Sequence, residues 1–186
     1  MTVPPLLPTR RGLMRGAGRI ILGGSMTVLL AGRARAGSEP RQLSLVNLHT
    51  SERLRVTYWQ GSGYVGSALS DVNQFLRDWR TSEVSTIDPR LLDLLHVLQH
   101  RLGSTEAFSV ICGYRSPQTN AALAERSAGV SRHSLHMEGR AIDIALPSRP
   151  LTALRDEAVA MAAGGVGFYP ASGFVHIDTG RTRRWG

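Results

Sequence analysis

The sequence contains no lysine: all 22 of its basic side chains other than histidine are arginines, set against 14 acids. Cysteine is almost as scarce. Cys112 stands alone, which excludes an internal disulfide and any Cys-based zinc ribbon. Acids are missing altogether from the first 36 residues, where Arg10, Arg11, Arg15, Arg19, Arg33 and Arg35 lie. Those six arginines account for most of the formal charge of +8; the other 16 face the same 14 acids, so the remaining 150 residues carry only +2. A nearly neutral body without a basic, aromatic-laced stripe excludes nucleic-acid binding. The full chain's hydrophobic content of 42% excludes wholesale disorder. A body of this length is one domain, able to bury roughly two thirds of its unfolded surface.

Long apolar runs are lacking too. The longest stretch, Ile20 to Leu30, is interrupted by Gly23, Gly24 and Ser25 and is too short for a stable membrane span. Thr9-Arg10-Arg11-Gly12-Leu13-Met14-Arg15 precedes it, and Ala34-Arg35-Ala36 follows with small residues at alternate positions, as a signal peptidase requires. Paired arginines before a weakly apolar core resemble a twin-arginine export signal. That implies the twin-arginine machinery and signal peptidase as partners, with cleavage after Ala36. No cysteine follows the apolar run, so a lipoprotein anchor is excluded. The expected organisation is a signal peptide over residues 1–36 and one domain over 37–186, without a membrane span in the mature form.

Within the body, Leu43 to His49 and Leu54 to Trp59 read as strands around the turn Thr50-Ser51-Glu52. Gly61 to Gly66 reads as a loop. Val72, Phe75, Leu76 and Trp79 have the i, i+3, i+4, i+7 spacing of a helix stripe. Asp88-Pro89 opens a second helix, with Asp as N-cap and Pro at the first helical position, and Gly103 closes it. A strand over Phe108 to Cys112, a turn at Gly113-Tyr114-Arg115 and a helix from Ser116-Pro117 to near Gly129 come next. Arg140 to Leu146 is a strand, Pro150 to Ala163 a helix, and Val166 to Tyr169 and Phe174 to Asp178 are strands around a Pro170–Gly173 turn. Helices first and a late sheet with short connections predict an α+β fold with an antiparallel sheet.

Alternation sets Ala141, Asp143 and Ala145 on one face of their strand and Ile142, Ile144 and Leu146 on the other. The small alanines leave room above the carboxylate. In the last strand Phe174, His176 and Asp178 share a face opposite Val175 and Ile177. If the two strands are neighbours, Asp143 and His176 share one open face, and His136 reaches back over it if Gly139 turns the chain. Two imidazoles and a carboxylate are a common catalytic zinc set with the fourth position open. A lone strand histidine is also often a satisfied core residue, and that reading fits His49, His96 and His100. His96 and His100 are four residues apart on a helix but lack the acid of an H-E-x-x-H motif.

Three segments carry a family likeness: Gly113-Tyr114-Arg115-Ser116-Pro117 with Asn120, then Ser134-Leu135-His136-Met137-Glu138-Gly139-Arg140-Ala141-Ile142-Asp143, then Gly164 to Pro170 with Phe174-Val175-His176-Ile177-Asp178-Thr179-Gly180. With Leu43 to Thr50, Glu52 and Leu76 to Thr81, they resemble the murein endopeptidase K family, the DUF882-type branch of the M15 zinc peptidases. The resemblance covers nearly all of residues 41–185. It implies the hedgehog/D-Ala-D-Ala peptidase fold, a small antiparallel sheet with helices on one face and a zinc groove on the other. It also implies zinc bound by His136, Asp143 and His176, with Arg115 in a catalytic and substrate-binding role and Ser134 in substrate binding. The substrate would be peptidoglycan stems and cross-links, and the place of action the periplasm.

Many M15 members place a general-base carboxylate three residues before the last zinc histidine; here that residue is Gly173. The base must come from elsewhere. Asp178 is the first candidate, as base or as holder of a ligand histidine; His133 and Glu138 are the others. Cys112 stands where the resemblance leads one to expect Ser, and reads as a buried, inert thiol. The function expected is hydrolysis of peptidoglycan cross-links by zinc-activated water. A carboxypeptidase on stem peptides, or a zinc-containing wall-binding module without a competent base, are the alternatives.

Overall fold

The computed structural model describes residues 39–127 and 129–186. The expected signal peptide therefore lies outside the described residues, apart from which no described helix is long and apolar enough to cross a membrane. Eight strands form one sheet: β1 (Arg41–Asn47), β2 (Arg53–Gln60), β3 (Gly63–Tyr64), β4 (Phe108–Cys112), β5 (Ala141–Ala145), β6 (Gly165–Tyr169), β7 (Phe174–Asp178) and β8 (Arg183–Trp185), in the order β3-β2-β1-β4-β5-β7-β6-β8. Among the described residues four α-helices join them: α1 (Gly66–Phe75), α2 (Pro89–Arg101), α3 (Pro117–Arg126) and α4 (Leu151–Ala160). The α+β class holds. The sheet is broader than expected, and two of its junctions, β1 with β4 and β6 with β8, are parallel.

Register explains the core. Leu43 faces Val56, Leu45 faces Phe108, and Val110, Ile144 and Val175 lie in one row across three strands. These residues share a face, and Val72 and Phe75 of α1, Leu91, Leu92, Leu95 and Leu98 of α2, and Leu154 of α4 pack on it in one cluster. Asp88 caps α2 by accepting from the Arg90 N–H at 3.0 Å, with Pro89 at the first position. No residue of α3 joins the apolar cluster. Its Asn120 instead accepts from Arg115 Nη1 at 3.3 Å.

Four readings of the sequence shift. Trp79 lies beyond the end of α1, because the chain leaves the helix at Leu76 and turns at Asp78. The expected loop at Gly61–Gly66 contains the short strand β3, hydrogen-bonded to β2. Helix α3 stops at Arg126. The C-terminal Arg183–Trp185 segment is a strand, which its arginines did not suggest.

Candidate active site

The face of the sheet away from α1, α2 and α4 holds the polar row. Asp143 pairs directly with His176, and His176 with Gly167, so the first two side chains stand side by side on neighbouring strands. A β-bulge in β4 brings Cys112, rather than Ile111, opposite Asp143. His136 comes from a 3-10 turn, Leu135–Glu138, whose start is capped by Ser134 Oγ accepting from the His136 N–H at 3.4 Å. The turn ends at Gly139, where φ is +64° and a Cβ would run into the Thr86 carbonyl. Only glycine turns the chain so sharply there.

Arg115 is placed by a separate brace. The Tyr114 N–H donates to the Leu76 carbonyl at 2.8 Å, and a Cβ on Gly113 would sit 2.7 Å from that same oxygen. Asp78, fully buried, accepts from the Ser116 N–H at 2.9 Å and from its hydroxyl at 2.7 Å. Burial pushes the Asp78 pKa up, but hydrogen bonds from Thr119, Ser116 and the Arg80 N–H prevail and hold it at about 2. The likeness at Leu76 to Thr81 thus marks the support of the Gly-Tyr-Arg turn.

His136 Nε2, His176 Nδ1 and Asp143 Oδ1 form a triangle with edges of 3.1, 2.8 and 3.2 Å. Their far sides fix the protons. His136 Nδ1 lies 2.7 Å from the Gly113 carbonyl, which cannot donate, so Nδ1 carries the hydrogen. His176 Nε2 lies 3.1 Å from Asp178 Oδ2 and donates to it. In the neutral rings the two inward nitrogens are then lone pairs, and Asp143 adds a third acceptor. Three acceptors pointed at one another repel unless a cation sits among them. Tetrahedral zinc with bonds of about 2.0–2.1 Å has its ligands roughly 3.3 Å apart, so the triangle fits such an ion with little adjustment.

Without an ion, a proton relieves the same crowding. Burial works to lower the His136 pKa, but Asp143 and Cys112 overcome it and raise it well above the usual histidine value. Asp143 is held far below the usual carboxylate range, His136 and His176 outweighing its burial. Cys112 Sγ is a further donor near the site, within 4.8 Å of ligand atoms on both His136 and Asp143. Burial raises its pKa, but the His136 ring wins and lowers it. His176 completes the tighter triangle of shared lone pairs, and it lines the groove whereas Cys112 does not.

The groove above the triangle holds about 340 Å³. Arg115, Ser131, His133 and Ser134 line it along with Tyr169, Phe174 and Trp185. Arg115 Nη1 donates to Asn120 Oδ1 at 3.3 Å, and Nη2 lies 3.6 Å from Cys112 Sγ and 3.8 Å from Asp143 Oδ2. Glu138 points elsewhere: it is exposed, pairs with Arg140 at 3.0 Å and takes no part in the groove. Asp178 lies behind His176 and is fully buried. Its oxygens also accept from the Gly165 and Gly180 N–H groups and from both Nη atoms of Arg183. Burial would raise its pKa, but these donors hold it far below the ordinary range. Sequence reasoning missed Arg183, Trp185 and Tyr169, and placed Phe174 on the groove face without giving it a role. The alternation Gly165-Val166-Gly167 against Arg183-Arg184-Trp185 is the signal that was available.

A family model described as Peptidoglycan L,D-endopeptidase MepK matches residues 35–185. The chain belongs to the MepK family. It is 42% identical over 176 residues to the peptidoglycan L,D-endopeptidase MepK of Escherichia coli K12, an alignment covering 95% of this chain and 96% of that one. The probable peptidoglycan L,D-endopeptidase MepK of Haemophilus influenzae is 39% identical over 148 residues, covering 79% of this chain and 80% of its own. The resemblance read from the sequence is the right one. MepK proteins fall within the M15 metallopeptidases, and an acceptor-only donor set in a groove is what a metal-dependent member requires.

Proposed function

We propose that this chain is a zinc-dependent peptidoglycan L,D-endopeptidase, exported by the twin-arginine route and active in the periplasm on the peptide cross-links of the wall. The observation that carries the zinc reading is the triangle of lone pairs on His136, Asp143 and His176, with tautomers fixed by Gly113 and Asp178. These three residues hold the metal. When bound, zinc supplies Lewis acidity, which polarises an amide carbonyl and makes a water acidic enough to attack it.

The other residues do the rest. Arg115 turns N–H donors toward the groove and meets the carbonyl oxygen as negative charge builds on it, or a carboxylate of the stem peptide. Ser134 fixes the turn that carries His136 and borders the groove, where its hydroxyl can meet the substrate backbone. Asp178 acts as a positioning residue rather than as the base, a reading supported by its oxygens' accepting from His176, Arg183 and two backbone N–H groups. Proton transfer falls to His133, which lines the groove three residues before His136 and is an imidazole able to take a proton from the attacking water and return it to the leaving amine.

The test is digestion of purified cross-linked muropeptides by residues 37–186, read by mass spectrometry, with and without a chelator. Cleavage of the cross-linked species, lost with chelator and restored by zinc, is the expected result. Intact cross-links alongside trimmed monomeric stems would make the chain a carboxypeptidase. Zinc binding without any cleavage would make it a wall-binding module.

A further inference from the structure

Strand β6 presents Gly165 and Gly167 on the groove face, between β7 and β8. A side chain at 167 would separate His176 from residue 185. With glycine there, the Trp185 indole lies across the gap: a Cβ on Gly167 would sit 2.7 Å from ring carbons of Trp185. The indole centroid comes within 5.2 Å of the His176 ring. Trp185 Nε1 donates to the Tyr169 hydroxyl at 2.8 Å, and Tyr169 stacks on Phe174 with centroids 4.7 Å apart. The indole's one donor is thus used inside the wall. All three rings are half-buried and line the groove beside the donor triangle, while Arg115, Ser131, His133 and Ser134 make its polar side.

A strand that only closed the sheet would have no need of an indole crossing its neighbour. The Arg183 guanidinium lies 4.7 Å from the indole centroid and Gly167 lies beneath the ring, so the indole is held on several sides, and covering the part that still faces the groove costs little freedom. Resting on the endopeptidase reading above, we infer that Trp185 is a specificity-determining residue. Its indole face receives the aliphatic side chain of the stem-peptide residue next to the cleaved amide. The polar side receives that peptide's backbone and carboxylate groups. The metal donors are indifferent to side-chain identity; the aromatic wall is where this site discriminates.

The experiment compares zinc-loaded wild type, Trp185→Ala, Trp185→Phe and Gly167→Ala on purified cross-linked muropeptides, with kcat, KM and metal content read separately. Binding of the same muropeptide to the metal-free proteins is measured by calorimetry. Trp185→Ala is expected to raise KM roughly tenfold with kcat within about threefold, the signature of lost uniform binding. Trp185→Phe restores most of that loss. Gly167→Ala, which pushes the indole aside without removing it, moves KM in the same direction, and every variant keeps one metal. Unchanged KM and affinity in both Trp185→Ala and Gly167→Ala overturn the inference alone, as does a fall in kcat at constant KM. A wild type that neither cleaves nor binds the muropeptide overturns the endopeptidase reading and this inference with it.

Discussion

His136 and His176 bring their inward nitrogens within 3.1 Å of each other, yet the two sides of the groove hold them by different means. On the turn side, the backbone does the work. The Gly113 carbonyl accepts from His136 Nδ1–H, the Arg115 N–H donates to the His136 carbonyl at 3.2 Å, and the Asp88 N–H donates to the Gly139 carbonyl at 2.9 Å. On the strand side, side chains do it: Arg183 grips Asp178 at 2.8 Å and Asp178 holds the His176 ring. Backbone atoms survive most substitutions, whereas a chain of side chains fails at any member. On the proposed reading, a change to the side chains behind a donor reaches the metal from the strand side, whereas on the turn side only a change of His136 itself does.

The largest expected effect comes from removing the strand-side ligand. His176→Ala loses zinc and turnover together while the helices stay folded; metal analysis with circular dichroism checks both, and full zinc occupancy would end the assignment. On the turn side, Arg115→Ala keeps zinc and loses roughly 10²–10³-fold in kcat, as removal of an oxyanion donor does. Wild-type rates would reduce Arg115 to a structural residue. Asp178→Asn keeps the size of the side chain but weakens its hold on His176. Zinc affinity, measured by competition with a chromophoric chelator, should fall roughly 10–100-fold. A large rate loss at unchanged affinity would instead make Asp178 the base and remove His133 from that role.

The smallest effect tests the brace under the turn. The folded pKa of Asp78, about 2, lies below the ordinary 3.8. The stabilisation it provides is therefore complete above the ordinary value and disappears as pH falls from there through about 2. Asp78→Asn should lower the neutral-pH melting temperature by roughly 3–8 °C and flatten its dependence on acid in that window. Parallel melting curves of variant and wild type between pH 2 and 5 would show that Asp78 carries none of it.

Elements with strong local signals were legible in the sequence. Asp88-Pro89 announces α2 because capping is a property of adjacent residues. The alternation around Asp143 and His176 placed both on one face because period 2 is intrinsic to a strand. Trp79 misled because its spacing fits a helix that the Asp78 hydrogen bonds to Ser116, far along the chain, do not allow to continue. The bulge that turns Cys112 toward Asp143 and the pairing of β8 with β6 are likewise settled by partners remote in sequence. Asp178 was placed on the right face, but its contacts with Arg183, Gly165 and Gly180 are ones that no spacing reveals.

Gly165 and Gly167 also tie the drift of one strand to that of another. A Cβ at 165 would collide with Arg183 and Asp178, and one at 167 with Trp185. An alanine at 167 displaces the indole unless residue 185 has shrunk, whereas one at 165 still meets Asp178 whatever stands at 183. The groove wall is thus resized by double exchange of 167 with 185. Relatives with alanine at 167 are expected to carry a side chain smaller than tryptophan at 185, so a change of substrate by this lineage would be written as a correlated pair of positions far apart in sequence.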